Sequence, residues 1–115
     1  MNAGERRVAR HYRLRAYRIL GANVRVGGYE VDLIVRRGRS LVFVEVKERA
    51  GSAYGGPVAA VGIEKRRRVR RAARAWLQEH RVPSGLDVRL EVAAVLAGRV
   101  TTLAFPIEDD PPYRG

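Results

Sequence analysis

The sequence predicts one mixed α/β domain whose elements run α-β-β-β-α-β-β around a central sheet. Three observations lead there. The 115 residues are 46% hydrophobic, which is enough for one packed core at the usual length of one domain. Two neighbouring runs, Tyr29 to Val35 (YEVDLIV) and Leu41 to Lys47 (LVFVEVK), are rich in β-branched and aromatic residues. Two other stretches space their apolar residues as helices do.

The first helix is GERRVARHYRLR, in which Val8, Ala9, Tyr12 and Ala16 form an apolar stripe between arginines. Glu5 falls in its first turn, where the helix dipole favours a carboxylate. A first strand starts at Tyr17-Arg18-Ile19-Leu20, continues from Gly21 to Arg25 and breaks at Gly27-Gly28. The two strong strand runs flank RRGRS, whose Gly38 supports a tight reversal, so they form a hairpin. Ala50 to Pro57 (AGSAYGGP) reads as a mobile loop. The second helix begins near Val58 or Ile63, ends at His80 and carries Val69, Ala72, Ala73, Trp76 and Leu77 on one face. Pro83-Ser84-Gly85 stops it, and strands at Leu86 to Leu96 and Val100 to Phe105 turn at Ala97-Gly98. The expected domain is residues 1–106, with residues 107–115 a flexible solvated tail.

Lys and Arg number 23 against 12 Asp and Glu, a formal net charge of +11. Such an excess suits a polyanion, nucleic acid ahead of acidic lipid. Arginine dominates, which favours bidentate phosphate contacts, although a GC-rich genome or a hot habitat also enriches it. With no cysteine there is no disulfide, no thiolate zinc site and no cysteine nucleophile. No apolar run approaches the roughly 18 residues that cross a bilayer. MNAGERRVAR has no apolar secretory core, so a cytoplasmic location and no membrane partner are expected.

Chemistry concentrates on the hairpin. By strict alternation Glu30, Asp32 and Ile34 share one face and Val31, Leu33 and Val35 the other, while Phe43, Glu45 and Lys47 share a face of the next strand. A two- or four-residue loop around Gly38 pairs Asp32 with Phe43 or Glu45, and both registers put Asp32, Glu45 and Lys47 on one side. Glu45 and Lys47 interrupt the most hydrophobic strand of the chain, which should therefore be central. Neighbouring buried carboxylates repel, and a divalent cation with hard oxygen ligands resolves the conflict. The plainer reading is a cross-strand ion pair of Asp32 with Lys47, with Glu45 at an exposed sheet end.

On the second helix, Lys65 and Arg68 extend the apolar stripe by one turn and should lean over the sheet. Arg66, Arg67, Arg70, Arg71 and Arg74 form a solvated basic band, either a plain helix surface or a sequence-blind phosphate track. Trp76 and Tyr12 fall on apolar stripes and read as core, while His11 and His80 lack the spacing of zinc ligands and read as surface residues.

Several ordered motifs then resemble one family. They are the early GE, Asn23-x-Arg25, Glu30-Val-Asp32-Leu-Ile, LVFVEVKER ending at Arg49, Tyr54-Gly55-x-Pro57, Lys65-x-x-Arg68 before an Ala-rich helix, and Arg89-Leu90-Glu91-Val92. Together they resemble the YraN family of small bacterial proteins from about Gly4 to Val95. That family is similar to the PD-(D/E)xK nucleases, including archaeal Holliday-junction resolvases and tRNA-splicing-endonuclease-like domains. The resemblance implies a restriction-endonuclease-like fold and Mg²⁺- or Mn²⁺-dependent hydrolysis of phosphodiesters, in DNA before RNA and in branched DNA by analogy. It implies Asp32 and Glu45 as metal ligands with the backbone carbonyl of Val46, and catalytic roles for Asp32, Glu45, Lys47 and Glu5. Glu30 belongs to the same motif and is a second candidate. Tyr29 stands where the family has glycine, which narrows close approach at that point.

The sequence therefore leads to a metal-dependent endonuclease. Arg25, Arg49, Lys65, Arg66, Arg67, Arg68, Arg70, Arg71 and Arg74 would hold the nucleic acid, and a homodimer would cut two strands. The alternatives are a nucleic-acid-binding module without catalysis, or a domain whose basic face meets an acidic protein.

Overall fold

The computed structural model describes residues 1–48 and 63–107. Helix α1 (Ala3–Arg13) starts where a capping box can form. The Asn2 side chain accepts from the Glu5 amide at 2.7 Å, and the Glu5 carboxylate accepts from the Asn2 amide at 2.9 Å. Strands β1 (Arg18–Val26), β2 (Tyr29–Arg37) and β3 (Ser40–Glu48) follow, then α2 (Ile63–Glu79), β4 (Asp87–Leu96) and β5 (Arg99–Pro106). The strands stand in chain order in one five-stranded sheet. Among the described strands only β3 and β4 run parallel, and their connection contains α2. This is the expected α-β-β-β-α-β-β order, and it has the mixed sheet of the restriction-endonuclease-like class.

Gly27 and Gly28, at φ of 61° and 82°, make the tight β1–β2 turn that requires left-handed backbone. A Cβ at Gly27 would sit 3.2 Å from that of Ala75, so the turn tucks against α2. The β2–β3 hairpin reverses over Gly38 and Arg39, with Arg37 opposite Ser40. That register belongs to the pairing that sets Asp32 opposite Glu45, but the ladder stops one step earlier, at Leu33 and Val44.

Each sheet face is covered by one helix. Val8, Ala9 and Tyr12 of α1 pack on Leu33, Val35, Val42, Val44, Ala93 and Val95. Val69, Ala72, Ala73 and Trp76 of α2 pack on Val31, Ile34, Leu41, Phe43 and Leu90. The centre is β3, whose residues from Leu41 to Val44 are fully buried, because an apolar run without alternation can only be satisfied when both faces are covered. Tyr12 and Trp76 are core residues, and His80 is exposed and stacked on Trp76.

Some expectations need correction. Val31 joins the α2 layer while Leu33 and Val35 join the α1 layer, so the pleat of β2 does not alternate through Asp32. Strict alternation presumes an unbroken ladder, and this one ends there. Arg70 is 1% exposed rather than part of a solvated band. Arg66 is half-buried with its guanidinium 4.9 Å from the centre of the Phe105 ring. Arg68 is exposed instead of leaning over the sheet. Residues 50–57, a helix start at Val58, Arg49 and the tail from residue 108 lie outside the described residues. Among the described residues no helix is long and apolar enough to cross a membrane.

Phe43 ties the central strand to α2 through an edge-on contact with Trp76, with ring centroids 5.6 Å apart. Phe43→Ala should lower the free energy of unfolding by about 3–5 kcal/mol in urea titrations. A loss under about 1 kcal/mol would contradict its place in the core.

Candidate metal centre

Three carboxylates meet at the end of the β2–β3 ladder. Glu5 of α1 and Glu30 and Asp32 of β2 each offer an oxygen within 4.8 Å of the others. Glu5 and Asp32 are each held by a local feature of the chain. One Glu5 oxygen caps α1 through the Asn2 amide, and the other accepts from Asn23 Nδ2 at 3.0 Å. Asn23 stands in β1 at φ 51°, a left-handed conformation that asparagine tolerates better than most residues. Asp32 lies where β2 no longer pairs with β3, and its Oδ2 accepts from the Val46 amide at 2.8 Å. The side chain thus does the work of a missing ladder carbonyl. Glu30 is exposed at the rim, opposite Arg25 in the β1–β2 ladder.

Glu45 stands beside this group on the central strand. It is 7% exposed, and its Oε1 lies 2.9 Å from Lys65 Nζ of α2. The Asp32 carboxyl is pushed up to about 7, first by burial and then by the charge of Glu45. The Val46 amide opposes the rise, and Glu5 and Glu30 add to it. An all-oxygen donor set with a charge conflict of this kind fits a hard divalent cation. The residues present therefore suit Mg²⁺ or Mn²⁺.

The expected site residues fall into distinct places. Asp32, Glu5 and Glu30 come together, and Glu45 is a charged neighbour outside the three-carboxylate group. Val46 contributes its amide to Asp32. Lys47 is half-buried, and the cation paired with Glu45 is Lys65 instead. Arg25 is exposed, and Arg49 lies outside the described residues. Tyr29 is half-buried against the α2-side core. Sequence reasoning gave no role to Asn2 or Asn23, although Asn-x-x-Glu is a cap signature that points to the first. It also missed Glu48, whose Oε2 would lie 2.6 Å from a Cβ at Gly4, so the glycine before Glu5 makes room for this side chain.

The fold and this acidic end define a small α/β protein of the restriction-endonuclease-like class with a candidate metal centre. The pattern of the uncharacterised protein family UPF0102 matches residues 4–95. The chain belongs to that family. It is similar to a UPF0102 protein of Alkalilimnicola ehrlichii, 42% identical over 91 residues that make up 79% of this chain and 72% of the relative. A UPF0102 protein of a Parafrankia species is 43% identical over 97 residues, 84% of this chain and 80% of its own. The UPF0102 protein YraN of Escherichia coli is 37% identical over 109 residues, 94% of this chain and 83% of its own.

Asp32 ionises near pH 7 in the folded chain against its ordinary 3.8. Between those values the folded state keeps a proton that the unfolded chain has released, so stability falls as pH rises through the window and levels off above it. Asp32→Asn keeps an acceptor for the Val46 amide without the charge. In metal-free buffer near pH 8 it should be more stable than wild type by about 1–2 kcal/mol, after discounting for solvent at a half-buried site. The gap should close near pH 4, and urea titrations at both pH values measure it. Equal stability at the higher pH would mean that the charge is not buried.

Asn23→Gly preserves the left-handed backbone and removes the hydrogen bond to Glu5. It should cost about 1 kcal/mol of stability and weaken Mn²⁺ binding about tenfold by calorimetry. Unchanged Mn²⁺ affinity would remove Asn23 from the site.

Proposed function

We propose that this protein is a metal-dependent phosphodiester hydrolase acting on nucleic acid, DNA before RNA, in the cytoplasm. The observation that carries the reading is the meeting of Glu5, Glu30 and Asp32 within 4.8 Å at a point where the proton affinity of Asp32 is raised. Asp32, Glu5 and Glu30 would hold Mg²⁺ or Mn²⁺, with Glu45 adjacent. When bound, such an ion lowers the pKa of a water and neutralises phosphoryl oxygens. The chain's own residues do the rest. Lys65 holds the Glu45 carboxylate, and the Val46 amide holds that of Asp32. Lys47, half-buried two residues after Glu45 on the same strand, is the ammonium available to developing phosphoryl charge. A second copy would supply the second centre needed to cut two strands.

One observation favours a binding module without catalysis. Glu45 already has a cation in Lys65, whereas Lys47 forms no ion pair among the described residues. Calorimetric titration of Mn²⁺ into wild type and Asp32→Ala separates the readings. The hydrolase reading expects binding in wild type and its loss in the variant. It also expects cleavage of at least one member of a panel of branched, duplex and single-stranded substrates, reduced about 100-fold or more in Lys47→Ala. Absence of Mn²⁺ binding in both proteins, with nucleic acid still retained, decides for the module.

A further inference from the structure

Part of the basic surface foreseen on α2 is occupied within the molecule, although Arg68 and Arg71 remain exposed. Arg70 is buried, Arg66 lies on Phe105, Lys65 pairs with Glu45, and Arg67 lies 3.8 Å from Glu64. The opposite side of the sheet is different. Between α1 and the start of β5 lies an open cleft of about 530 Å³, lined by Arg7, Arg10, Arg15, Arg99 and Thr101 among others. All four arginines are exposed, and none forms an ion pair among the described residues. Arg7 donates to the Gly98 carbonyl at 3.2 Å and Arg15 to the His11 carbonyl at 3.0 Å. Such bonds orient a guanidinium without cancelling its charge, and they leave other N–H donors of each fork free. Glu91, an acid whose charge is felt by His11 at this surface, is largely covered and accepts from the Tyr12 hydroxyl beneath α1.

We infer that this face, α1 with the beginning of β5, is the surface that grips the phosphate backbone of nucleic acid. The inference rests on the nucleic-acid part of the reading above and assigns the contact to a helix that was not expected to make it. Three observations select the partner. Uncompensated arginines in a row suit phosphates, which accept bidentate hydrogen bonds. The apolar stripe of α1 (Val8, Ala9, Tyr12) is buried in the core, so a lipid surface would meet Leu14, 71% exposed beside the arginines, without the apolar stripe that an interfacial helix inserts. The arginines and the carboxylates also share one rigid element, because Glu5 lies in the first turn of the helix that carries Arg7 and Arg10. From Glu5 to Arg13 the helix rises about 12 Å, roughly three phosphates of one duplex strand. Contact of this kind reads no bases.

The test is fluorescence anisotropy of a labelled DNA duplex with the full chain in EDTA, over a series of salt concentrations. The triple variant Arg7→Gln/Arg10→Gln/Arg15→Gln should bind about tenfold or more weakly than wild type. The slope of log affinity against log salt should flatten by about 2–3, one step per lost phosphate contact. On α2, Arg67→Gln/Arg71→Gln should cost less than about threefold. Thermal melting checks that each variant is folded, and Arg99→Gln alone, expected to flatten the slope by about 1, serves if the triple variant does not fold. The inference is overturned if the α1 variants bind as wild type does, or if the α2 pair loses as much. It is equally overturned if wild type binds no duplex or prefers phosphatidylserine vesicles or polyglutamate. Because EDTA excludes turnover, a chain that binds through α1 but cleaves nothing with Mn²⁺ would sink the hydrolase reading and leave this one standing.

Discussion

A backbone amide at the edge of a broken ladder must find an acceptor, and here the Val46 amide finds the Asp32 carboxylate. That hydrogen bond organises the acidic end of the sheet. It fixes Asp32 where β2 leaves β3, beside the buried Glu45 of the central strand, and it brings the carboxylate within reach of Glu5 at the start of α1. The arrangement costs desolvation and like-charge repulsion. Among the described residues the offsets are the Val46 amide at Asp32, the Lys65 ammonium at Glu45, and the Asn2 amide and Asn23 at Glu5, which bring one cation to several carboxylates. A structure that needed only stability would replace such a cluster with apolar side chains, so its presence is the strongest physical argument for a ligand of opposite charge.

Most of the architecture could be read from the sequence because it rests on periodicity. The apolar run from Leu41 to Val44 announced a strand covered on both faces, and β3 is the central strand of the five. The stripe at Val69, Ala72, Ala73 and Trp76 announced a helix packed on it. What escaped depended on interruptions of periodicity. Counting in twos assigns the faces of β2 and fails at Asp32, because the ladder that enforces the pleat stops there. Counting around the helix puts Arg70 in water, yet it borders the buried stripe three residues before Ala73, and a stripe wider than 100° takes in such positions.

The site was half readable for a related reason. Asp32 and Glu45 stood out as charges inside strands, a contradiction visible in one dimension. Glu5 was noticed for its place near a helix dipole, but its fixed position comes from contacts that no spacing reveals. It completes a cap with Asn2 and takes a hydrogen bond from Asn23, 18 residues away in β1. The pairing of Glu45 with Lys65 joins two elements whose connection is a long stretch of chain, and the ammonium nearer in sequence, Lys47, does not make it. Proximity along the chain is therefore a poor guide to which cation neutralises a buried acid.

The same reasoning applies to the net charge. A total of +11 says how much positive charge there is and nothing about where it is available. Availability depends on whether each guanidinium already has an internal partner, and the two helices differ in that respect because their surroundings differ. Helix α2 begins beside Glu45 and places basic side chains near Glu64 and over Phe105, so much of its charge is spent in place. Helix α1 carries its acid in the first turn and Arg10, His11 and Arg13 in the last, the order that the helix dipole favours. That order stabilises the helix and at the same time separates the charges, so the end holding Glu5 joins the carboxylate cluster while the arginines face solvent. One helix thereby carries both an acidic terminus suited to a cation and a cationic side suited to phosphate.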